Sequence, residues 1–321
     1  MRIAVLASGG DGPGMNAALR AVVRTAVGEG DDVLGVRDGF EGLLRGDLEA
    51  MDRGAVSGII ERGGCVLGTA RSPVFRTPEG RARAAATLRE HRIDGVVAIG
   101  GNGTAAGAEV LAREHDVAVM VVPGSIDNDV VGSDESIGFN TAANTALDAI
   151  DRIRDTADAL RRIFFIEVMG RASGALALHV GVAGGADAIL VPELPCDRDE
   201  LIELVRGVAG PHKRSTLVVV AEGETPGGAF AVAKSVGAAI EREYRVQVLG
   251  YIQRGGRPSV RDRVLASELG LRAVEALREG HVPALVGRIR DEVTLTPLAE
   301  VAHRTRRPPV EYLRLAQRLS R

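Results

Sequence analysis

Aromatic side chains are scarce in this sequence. It has no tryptophan, and phenylalanine and tyrosine together make up only 3% of its residues. Base-stacking platforms and aromatic sugar-binding surfaces need such side chains, so both are poorly supported. Specificity for a ligand must come mainly from polar and charged groups.

Cysteine is scarce as well. Cys65 and Cys196 are the only two, and they lie far apart in the sequence. This argues against a disulfide framework and against a cysteine-based zinc site. We therefore expect a protein of the reducing cytoplasm.

The chain lacks both a large charge excess and a long apolar run. Its formal net charge is -3, and no block of lysine and arginine stands out, so we expect neither nucleic acid nor an anionic membrane as the main partner. The apolar run at residues 3–7 is too short for a secretory signal, and no segment approaches a membrane-spanning length.

What is present suits a globular α/β protein. The 321 residues, 45% of them hydrophobic and 26% charged, can bury a full core and fit two domains better than one. Short apolar runs alternate with segments of helical period, such as Ala143, Leu147, Ile150 and Ile153. This order predicts parallel sheets covered on both faces. The predicted buried strands are residues 3–6, 96–99, 117–122, 163–168, 189–191, 217–220 and 246–249.

Polar and glycine-rich clusters follow four of these strands. They occupy residues 8–16, 100–104, 124–129 and 169–174. In parallel sheets ligands bind at the carboxyl ends of strands, where loops open onto helix N-termini. We therefore expect the functional site at these ends.

The first cluster, Ser-Gly-Gly-Asp-Gly-Pro-Gly-Met-Asn at residues 8–16, contains four glycines. Its backbone N–H groups can approach an anion such as phosphate, although a tight structural turn is the alternative interpretation. It lacks the Gly-Lys-Ser/Thr ending of a Walker loop. In the second cluster, Thr104 is predicted to cap the following helix and to offer its hydroxyl to a phosphate.

The third cluster places Asp127 and Asp129 directly after a strand. One carboxylate can hold magnesium while the other accepts a proton from a substrate hydroxyl. An Asx-rich turn with solvated acids is the alternative.

Several arginines add positive charge. Arg171 follows the strand at 163–168 and Arg162 precedes it; guanidinium groups suit phosphate and the charge that spreads during phosphoryl transfer. Glu222 can accept hydrogen bonds from sugar hydroxyls or cap a helix. Arg20 and Arg24 share one helix face, for which solvation is the default interpretation.

Four motifs occur in a specific order and spacing: Ser-Gly-Gly-Asp-x-Pro-Gly-Met-Asn at 8–16, Ser-Ile-Asp-Asn-Asp at 125–129, Glu-Val-Met-Gly-Arg at 167–171 and Gln-Arg-Gly-Gly at 253–256. Together they closely resemble the ATP-dependent 6-phosphofructokinases of bacterial type, and the resemblance runs from Ile3 to about Leu319. No single motif would suffice.

The resemblance implies two doubly wound, Rossmann-like α/β/α domains with the active site in the cleft between them, assembled as a homotetramer. It implies an ATP-binding domain at residues 1–138 plus 252–302, and a fructose 6-phosphate-binding domain at 139–251 plus 303–321. ATP and fructose 6-phosphate are the expected substrates, with Mg²⁺ as cofactor.

The resemblance also implies residue roles. Asp127 corresponds to the general base, Ser125 and Asp129 orient magnesium and the phosphates, and Arg71 and Arg171 stabilise the transferring group. Asn102 and Asp129 are the metal residues. The expected ATP contacts are Gly10, Arg71, Ser72, Gly101, Asn102, Gly103 and Thr104. The expected sugar-phosphate contacts are Ser125, Asp127, Met169, Gly170, Arg171, Glu222, Tyr251 and Arg254, with Arg162 and Arg245 from a neighbouring subunit. The expected effector contacts, for ADP as activator and phosphoenolpyruvate as inhibitor, are Arg20, Arg24, Arg53, Arg154, Gly185, Asp187 and Lys213.

Some positions depart from the family pattern. Asn102 stands where an acidic residue is usual, and an amide oxygen is a weaker, neutral ligand for magnesium. Tyr251 replaces a histidine and cannot become cationic near neutral pH. Pro211 replaces a basic residue and Asp187 a longer acid in the effector set.

The phosphoryl donor and the reaction each have alternative interpretations. Glycine at positions 103 and 124 favours ATP, because pyrophosphate-using relatives carry bulkier charged residues there. A catalytically weakened paralogue that binds the same ligands for regulation is one alternative. A kinase of another sugar phosphate, such as tagatose 6-phosphate, is another. NAD and lipid kinases share a Gly-Gly-Asp-Gly motif but lack the Met-Gly-Arg and Gln-Arg-Gly-Gly elements.

Overall fold

The computed structural model describes residues 1–194, 197–208, 215–240 and 243–319. Cys196, Pro211 and Lys213 therefore lie outside the described residues. The chain divides into two compact units. The first comprises Met1–Ser125, Asp129–Thr141 and Arg254–Arg306, and the second comprises Ile126–Asn128, Ala142–Gln253 and Arg307–Arg321.

Strands and helices alternate along most of the chain, as the apolar pattern predicts. In chain order they are β1 Arg2–Ser8, α1 Met15–Gly28, β2 Asp32–Val36, α2 Gly39–Arg45, β3 Leu48–Ala50, α3 Pro78–Glu90, β4 Gly95–Gly100, α4 Asn102–His115, β5 Val119–Ser125, β6 Ile137–Gly138, α5 Phe139–Leu160, β7 Ile163–Val168, α6 Ala175–Ala183, β8 Ala188–Leu190, α7 Arg198–Val208, β9 Thr216–Ala221, α8 Gly228–Ile240, β10 Tyr244–Val248, α9 Val260–Arg278, β11 Ala284–Ile289, β12 Glu292–Pro297, α10 Leu298–Val301 and α11 Glu311–Leu319.

Within the described ranges, the first unit contains an eight-stranded sheet in the order β12-β11-β5-β4-β1-β2-β3, with β6 paired to β5. The central strands β1, β4 and β5 are parallel, and their register pairs Ser8 with Gly100 and Gly100 with Pro123. The loops that follow these three strands therefore leave the same edge of the sheet. The first three polar clusters therefore begin at the same edge of the sheet, as the strand pattern predicts.

The second unit contains a parallel sheet in the order β10-β7-β9-β8. Its central strands consist almost entirely of buried apolar residues, and Phe165 on β7 has no exposed surface. Runs of this kind are typical of strands covered on both faces.

Helices cover both faces of the first sheet. One core lies between the sheet and helices α1 and α9, with Leu19 and Leu269 buried in it. The other lies beneath α2, α3 and α4, with Leu43 and Leu111 buried in it. The predicted α/β class with doubly wound domains is therefore confirmed. Among the residues that the structure describes, no helix has the length and apolar character needed to cross a bilayer.

Two expectations about the strands need correction. The sheets are not wholly parallel: β3 runs antiparallel to β2, and β12 to β11. The β11–β12 connection consists of Arg290 and Asp291, both with positive φ (49° and 66°), as a tight hairpin turn requires. Strand β10 is largely exposed rather than buried, because it lies at the edge of its sheet and pairs only with β7.

Candidate active site

The glycine turn after β1 takes a shape that depends on glycine. Gly14 has a φ of +108°, and a Cβ there would lie 2.7 Å from Ile137. The turn is tied to the segment that carries Arg71: Gly9 N donates to the carbonyl of Ala70 (3.4 Å), and the hydroxyl of Thr69 donates to the carbonyl of Gly9 (2.9 Å). The exposed Arg71 and its half-buried neighbour Ser72 therefore follow a segment anchored to this turn.

Arg254 lies beside the same glycine turn. A Cβ on Gly10 would lie 3.2 Å from Nη1 of Arg254, and that nitrogen lies 3.7 Å from Oδ1 of Asp11. Arg254 was predicted to contact the sugar phosphate. The structure places it against a turn predicted to bind the phosphates of ATP.

The second glycine loop begins α4. Gly101 is the N-cap and Asn102 the first helical residue, so the prediction that Thr104 caps this helix is wrong. Thr104 lies inside the first turn, is only 3% exposed, and donates its hydroxyl to the carbonyl of Ser8 (3.0 Å). The hydroxyl thus links the first turn of α4 to the end of β1. Gly103 is exposed, and no heavy atom lies within 4 Å of where its Cβ would be.

Asn102 has an orphaned oxygen. Its Nδ2 donates to the main-chain carbonyl of Asp129 (3.3 Å). Because a carbonyl can only accept, this contact fixes which end of the amide faces Asp129. Oδ1 is then buried, and it has no hydrogen-bond partner among the residues that the structure describes. An unsatisfied buried oxygen is unusual, and oxygen is the ligand that magnesium prefers, so Oδ1 of Asn102 is a suitable ligand for a magnesium ion.

The residues after β5 lie next to this loop. A Cβ on Gly101 would lie 3.6 Å from Oγ of Ser125, and the carbonyl of Ser125 accepts a hydrogen bond from the hydroxyl of Ser136 (2.7 Å). The main chain of Asp129 also accepts from Arg306 N (2.8 Å). The first unit thus brings Gly101, Ser125 and Asp129 together. In the described part of the chain, no cluster of three or more His, Cys, Asp or Glu side chains forms a metal site.

Asp127 belongs to the second unit. It is half-buried, and its carbonyl accepts a hydrogen bond from the hydroxyl of the buried Ser173 (2.9 Å). The next residue, Asn128, is buried and has a φ of +49°, which is typical of an Asx-rich turn. Asp127 and Asp129 are both half-buried, which argues against the interpretation of these carboxylates as simply solvated.

The ends of β7 and β9 meet in the second unit. Arg171 N donates to Oε2 of Glu222 (3.2 Å), and both residues are exposed. A Cβ on Gly223 would lie 1.8 Å from the carbonyl of Arg171, so the close approach of these loops requires glycine. Glu222 caps no helix, since α8 begins at Gly228.

Sequence reasoning missed Gln253. It has no exposed surface; its Oε1 accepts from the main-chain N of Met169 (3.3 Å), and its Nε2 donates to the carbonyl of Gly250 (3.0 Å). Gln253 thereby fixes the segment that contains Met169 and Gly170. Its place in the Gln-Arg-Gly-Gly motif was the available signal. Tyr251, two residues earlier, is 77% exposed.

Glu224 was also missed, and no sequence pattern marks it. Burial raises the pKa of its carboxyl group above the ordinary value. Oε2 of Glu224 is buried, and within the described ranges it has no hydrogen-bond partner. This carboxyl group follows Glu222 in the same loop.

Arg162 and Arg245 share one carboxylate. Arg162 lies 2.6 Å and Arg245 3.8 Å from Oε2 of Glu243. Arg162 precedes β7, whereas Met169 and Arg171 follow it. Six strand residues span about 20 Å. Arg162 and Arg171 of one chain therefore lie at opposite ends of a strand.

The predicted effector residues fall in both units. In the first, Arg20 and Arg24 lie on α1, and Nη2 of Arg53 would lie 3.5 Å from a Cβ on Gly28, at the end of that helix. In the second, Arg154 donates to the carbonyls of Gly184 and Gly185.

Asp187 has a structural role. It is 7% exposed, and its Oδ2 accepts from the main-chain N of Leu217 on β9 (2.8 Å). The carboxylate thus holds the segment before β8 against β9. The predicted effector residue Lys213 lies outside the described residues.

Comparison with known proteins agrees with this geometry. A model of the phosphofructokinase family matches residues 2–277. An ATP-dependent 6-phosphofructokinase 1 of Thermus thermophilus is 52% identical over 319 residues, covering 99% of each chain. An ATP-dependent 6-phosphofructokinase of Cytophaga hutchinsonii is 45% identical over 322 residues, covering 99% of this chain and 98% of the relative.

Solved structures show the same fold. Phosphofructokinase from Saccharomyces cerevisiae superposes with a TM-score of 0.86 at 37% identity over 98% of this chain, which spans 46% of the yeast chain. A pyrophosphate-dependent phosphofructokinase from Marinobacter aquaeolei gives a TM-score of 0.86 at 26% identity, covering 97% of this chain and 86% of the other. The match of the family model over most of the chain, together with near-full-length relatives at 45–52% identity, shows that this chain belongs to the phosphofructokinase family.

Proposed function

We propose that this chain is an ATP-dependent 6-phosphofructokinase. It transfers the γ-phosphate of ATP to the 1-hydroxyl of fructose 6-phosphate, giving fructose 1,6-bisphosphate and ADP in glycolysis, in the cytoplasm. Relatives named for this activity match 99% of the chain. The observation that carries the proposal is the meeting of the two glycine loops and the Ser125–Asp129 segment at one edge of the sheet.

The first unit supplies the proposed ATP contacts. Backbone N–H groups of glycine turns and the N-terminus of α4 suit phosphate oxygens. Asn102 and Asp129 hold magnesium, which neutralises phosphate charge when bound. The proposed ATP contacts are Gly10, Arg71, Ser72, Gly101, Asn102, Gly103 and Thr104.

Asp127 is the proposed general base, taking the proton of the 1-hydroxyl. Because phosphoryl transfer passes through a loose transition state, positioning and charge stabilisation account for most of the rate enhancement. Arg71 and Arg171 stabilise the charge on the transferring group, and Ser125 orients the phosphates.

The second unit supplies the proposed sugar-phosphate contacts Met169, Gly170, Arg171, Glu222 and Tyr251, which follow β7, β9 and β10. Arg254 is the remaining proposed sugar-phosphate contact. It also lies close enough to Gly10 to interact with a nucleotide phosphate bound there.

Arg162 and Arg245 complete the site of a neighbouring subunit. A sugar phosphate is much shorter than the strand of about 20 Å that separates Arg162 from Arg171 in one chain, so the two arginines cannot bind one ligand within that chain. This supports sites shared between subunits, and a homotetramer is the proposed assembly.

The effector pocket is a further part of the proposal. Arg20, Arg24, Arg53, Arg154, Gly185 and Lys213 are the proposed contacts for ADP and phosphoenolpyruvate. The carboxylate of Asp187 already accepts a hydrogen bond from Leu217 N on β9. Its proposed role is therefore to hold the backbone of the pocket in place.

ATP rather than pyrophosphate is the proposed donor. The space beside Gly103 is open, which leaves room for nucleotide phosphates. Solved pyrophosphate-dependent enzymes share the fold, so the fold alone does not decide the donor.

A coupled assay with ATP, magnesium and fructose 6-phosphate tests the activity. The wild-type protein should form the 1,6-bisphosphate, and Asp127→Asn should lower kcat by about 10²- to 10⁴-fold with little change in KM. A folded wild-type protein without turnover would defeat the proposal. An Asp127→Asn variant of wild-type kcat would defeat only the assignment of the base.

A further inference from the structure

Asp262 on α9 is a buried carboxylate to which the proposed function assigns no role. It is 1% exposed. Its Oδ1 accepts from Gly138 N (2.9 Å), and its Oδ2 accepts from Thr141 N (2.8 Å) and from the hydroxyl of Thr141. Burial raises the pKa of Asp262, and these hydrogen bonds oppose that rise. A carboxylate this deeply buried is stabilised only when its oxygens are satisfied.

Neighbouring hydrogen bonds determine which group donates and which accepts around Asp262. The hydroxyl oxygen of Thr141 accepts from Ser259 N (2.9 Å), so its proton is available to Asp262. The hydroxyl oxygen of Ser259 accepts from Asp262 N (3.2 Å) as the N-cap of α9, and its proton goes to Oδ1 of Asn140 (2.8 Å). These bonds join the start of α9 to the start of α5.

Asp262 therefore acts as a cap supplied by another helix. The first N–H groups of a helix have no partner within it, and α5 begins at Phe139. Asp262 accepts hydrogen bonds from the main-chain N–H groups of Gly138, just before that start, and of Thr141, just after it. Gly138 is also the last residue of β6, so this carboxylate bonds the strand at the point where α5 begins.

Strand β6 pairs with the end of β5. Gly138 is the register partner of Ser125, and Ile137 that of Gly124. The hydroxyl of Ser136 adds a bond to the carbonyl of Ser125 (2.7 Å). Gly138 is therefore in direct register with Ser125, the residue proposed to orient the phosphates.

We propose that Asp262 is a positioning residue for phosphoryl transfer: by holding Gly138 and Thr141, it fixes β6 against β5 and sets the orientation of Ser125. The inference rests on the proposed function. Its rival is a purely structural role, in which Asp262 adds stability without affecting the reaction.

Asp31 provides a matched control for the structural role. It is a buried carboxylate of the same unit, 7% exposed. It accepts from the N-terminal ammonium of Met1 and from Arg278 (2.6 Å each). Asp31 precedes β2 and so lies at the amino edge of the sheet, whereas the glycine loops leave the carboxyl edge.

The test compares Asp262→Asn, Thr141→Val, Thr141→Ser and Asp31→Asn with the wild-type protein. Thermal midpoints are measured first, and kcat and both KM values are then measured well below every midpoint. We expect Asp262→Asn to lower kcat by about tenfold or more, with KM for ATP changed by less than about threefold. Thr141→Val should lower kcat in the same way, whereas Thr141→Ser, which keeps the hydroxyl, should restore it. Asp31→Asn should lower the midpoint and leave kcat unchanged.

Two results would overturn the inference: wild-type kcat in a folded Asp262→Asn variant, or an equal loss of kcat in Asp31→Asn. If Asp262→Asn does not fold, the Thr141→Val and Thr141→Ser pair decides, and equal kcat in the two variants overturns the inference. An inactive wild-type protein would defeat the proposed function itself, whereas an active wild-type protein with unaffected variants defeats only this inference.

Discussion

At the residue scale, Asn102 has the clearest unmet bonding capacity in the candidate active site. Its Nδ2 donates to the main-chain carbonyl of Asp129, and its buried Oδ1 has no hydrogen-bond partner in the described part of the chain. A neutral amide oxygen attracts magnesium less than a carboxylate does. Oδ1 of Asn102 is therefore available to magnesium, but as a neutral oxygen it is a weak ligand.

Asn102→Asp should strengthen magnesium binding. We expect the half-saturating Mg²⁺ concentration to fall by about three- to tenfold, because a charged oxygen replaces a neutral one. The variant should also lose about 1 kcal/mol of stability, since Nδ2 no longer donates to Asp129. Rates over a magnesium titration measure the first effect, with Asn102→Ala as the control that weakens binding. Identical titration curves for all three proteins would exclude Asn102 from the metal site.

Substitutions of Gly103 test whether the phosphates of the donor ATP bind beside this residue. Its Cβ position is open and it lies in the first turn of α4, so Gly103→Ala and Gly103→Asp should both fold with thermal midpoints no lower than that of the wild-type protein. Gly103→Asp should raise KM for ATP by about tenfold or more, because its charge repels the nucleotide phosphates. Gly103→Ala should change KM little. Equal KM values in both variants would place the ATP phosphates elsewhere.

At this scale sequence reasoning found the residue types but not their partners. Asp127, Asp129 and the glycine turns were predicted because each follows an apolar run directly. Gln253 and Asp262 were missed because their bonds reach Met169 and Thr141, 84 and 121 residues away. Thr104 was assigned as a cap because the helix was expected to start after residues 100–104; it starts at Asn102, with Gly101 as its N-cap.

At the scale of elements, one buried carboxylate links three segments at the amino edge of the first sheet. Asp31, before β2, accepts from Met1 and from Arg278 at the end of α9. Burial alone would raise the pKa of Asp31, but hydrogen bonds from these two cations lower it below the ordinary value of 3.8. The ionised form is therefore favoured in the folded state.

Asp31→Asn should destabilise the protein in a pH-dependent way. A lowered pKa contributes stability that is complete above the ordinary value of 3.8 and is lost as the pH falls through the lowered value. At pH 7 we expect a loss of about 1–3 kcal/mol in the free energy of unfolding. The difference from the wild-type protein should shrink below the ordinary pKa. Urea denaturation at several pH values measures this difference in the free energy of unfolding. A difference that does not change with pH would contradict the stabilising role of the ionised Asp31.

The elements themselves were largely predictable where burial is complete. Strands β1, β4, β5, β7 and β9 are continuous apolar runs covered on both faces, so hydrophobicity alone marks them. Strands β11 and β12 were not predicted. The partly exposed residues of β12 give no such run, and the β11–β12 hairpin depends on left-handed conformations at Arg290 and Asp291 that nothing in the residue types requires.

At the scale of the whole molecule, the proposed sharing of sites predicts that activity needs more than one copy of the chain. Arg162 lies at the opposite end of β7 from Arg171, and Glu243 pairs with both Arg162 and Arg245. Each subunit would therefore lend these arginines to a neighbour. Mutations in different subunits should then complement each other.

Mixing Asp127→Asn and Arg162→Ala variants tests this sharing. Each variant alone should have low activity. Hybrid oligomers, formed by dissociation and reassociation, should regain activity because some sites combine an intact Asp127 from one chain with an intact Arg162 from the other. Mixing either variant with itself is the control. Hybrids no more active than the average of the two parents would contradict the shared site.

The most direct test of the central claim is a donor comparison followed by ³¹P nuclear magnetic resonance. Purified protein is incubated with magnesium and fructose 6-phosphate, and with either ATP or pyrophosphate. The account predicts a new C1 phosphate resonance and ADP with ATP, and no sugar product with pyrophosphate. A product formed only from pyrophosphate, or no product from either donor with folded protein, would contradict it.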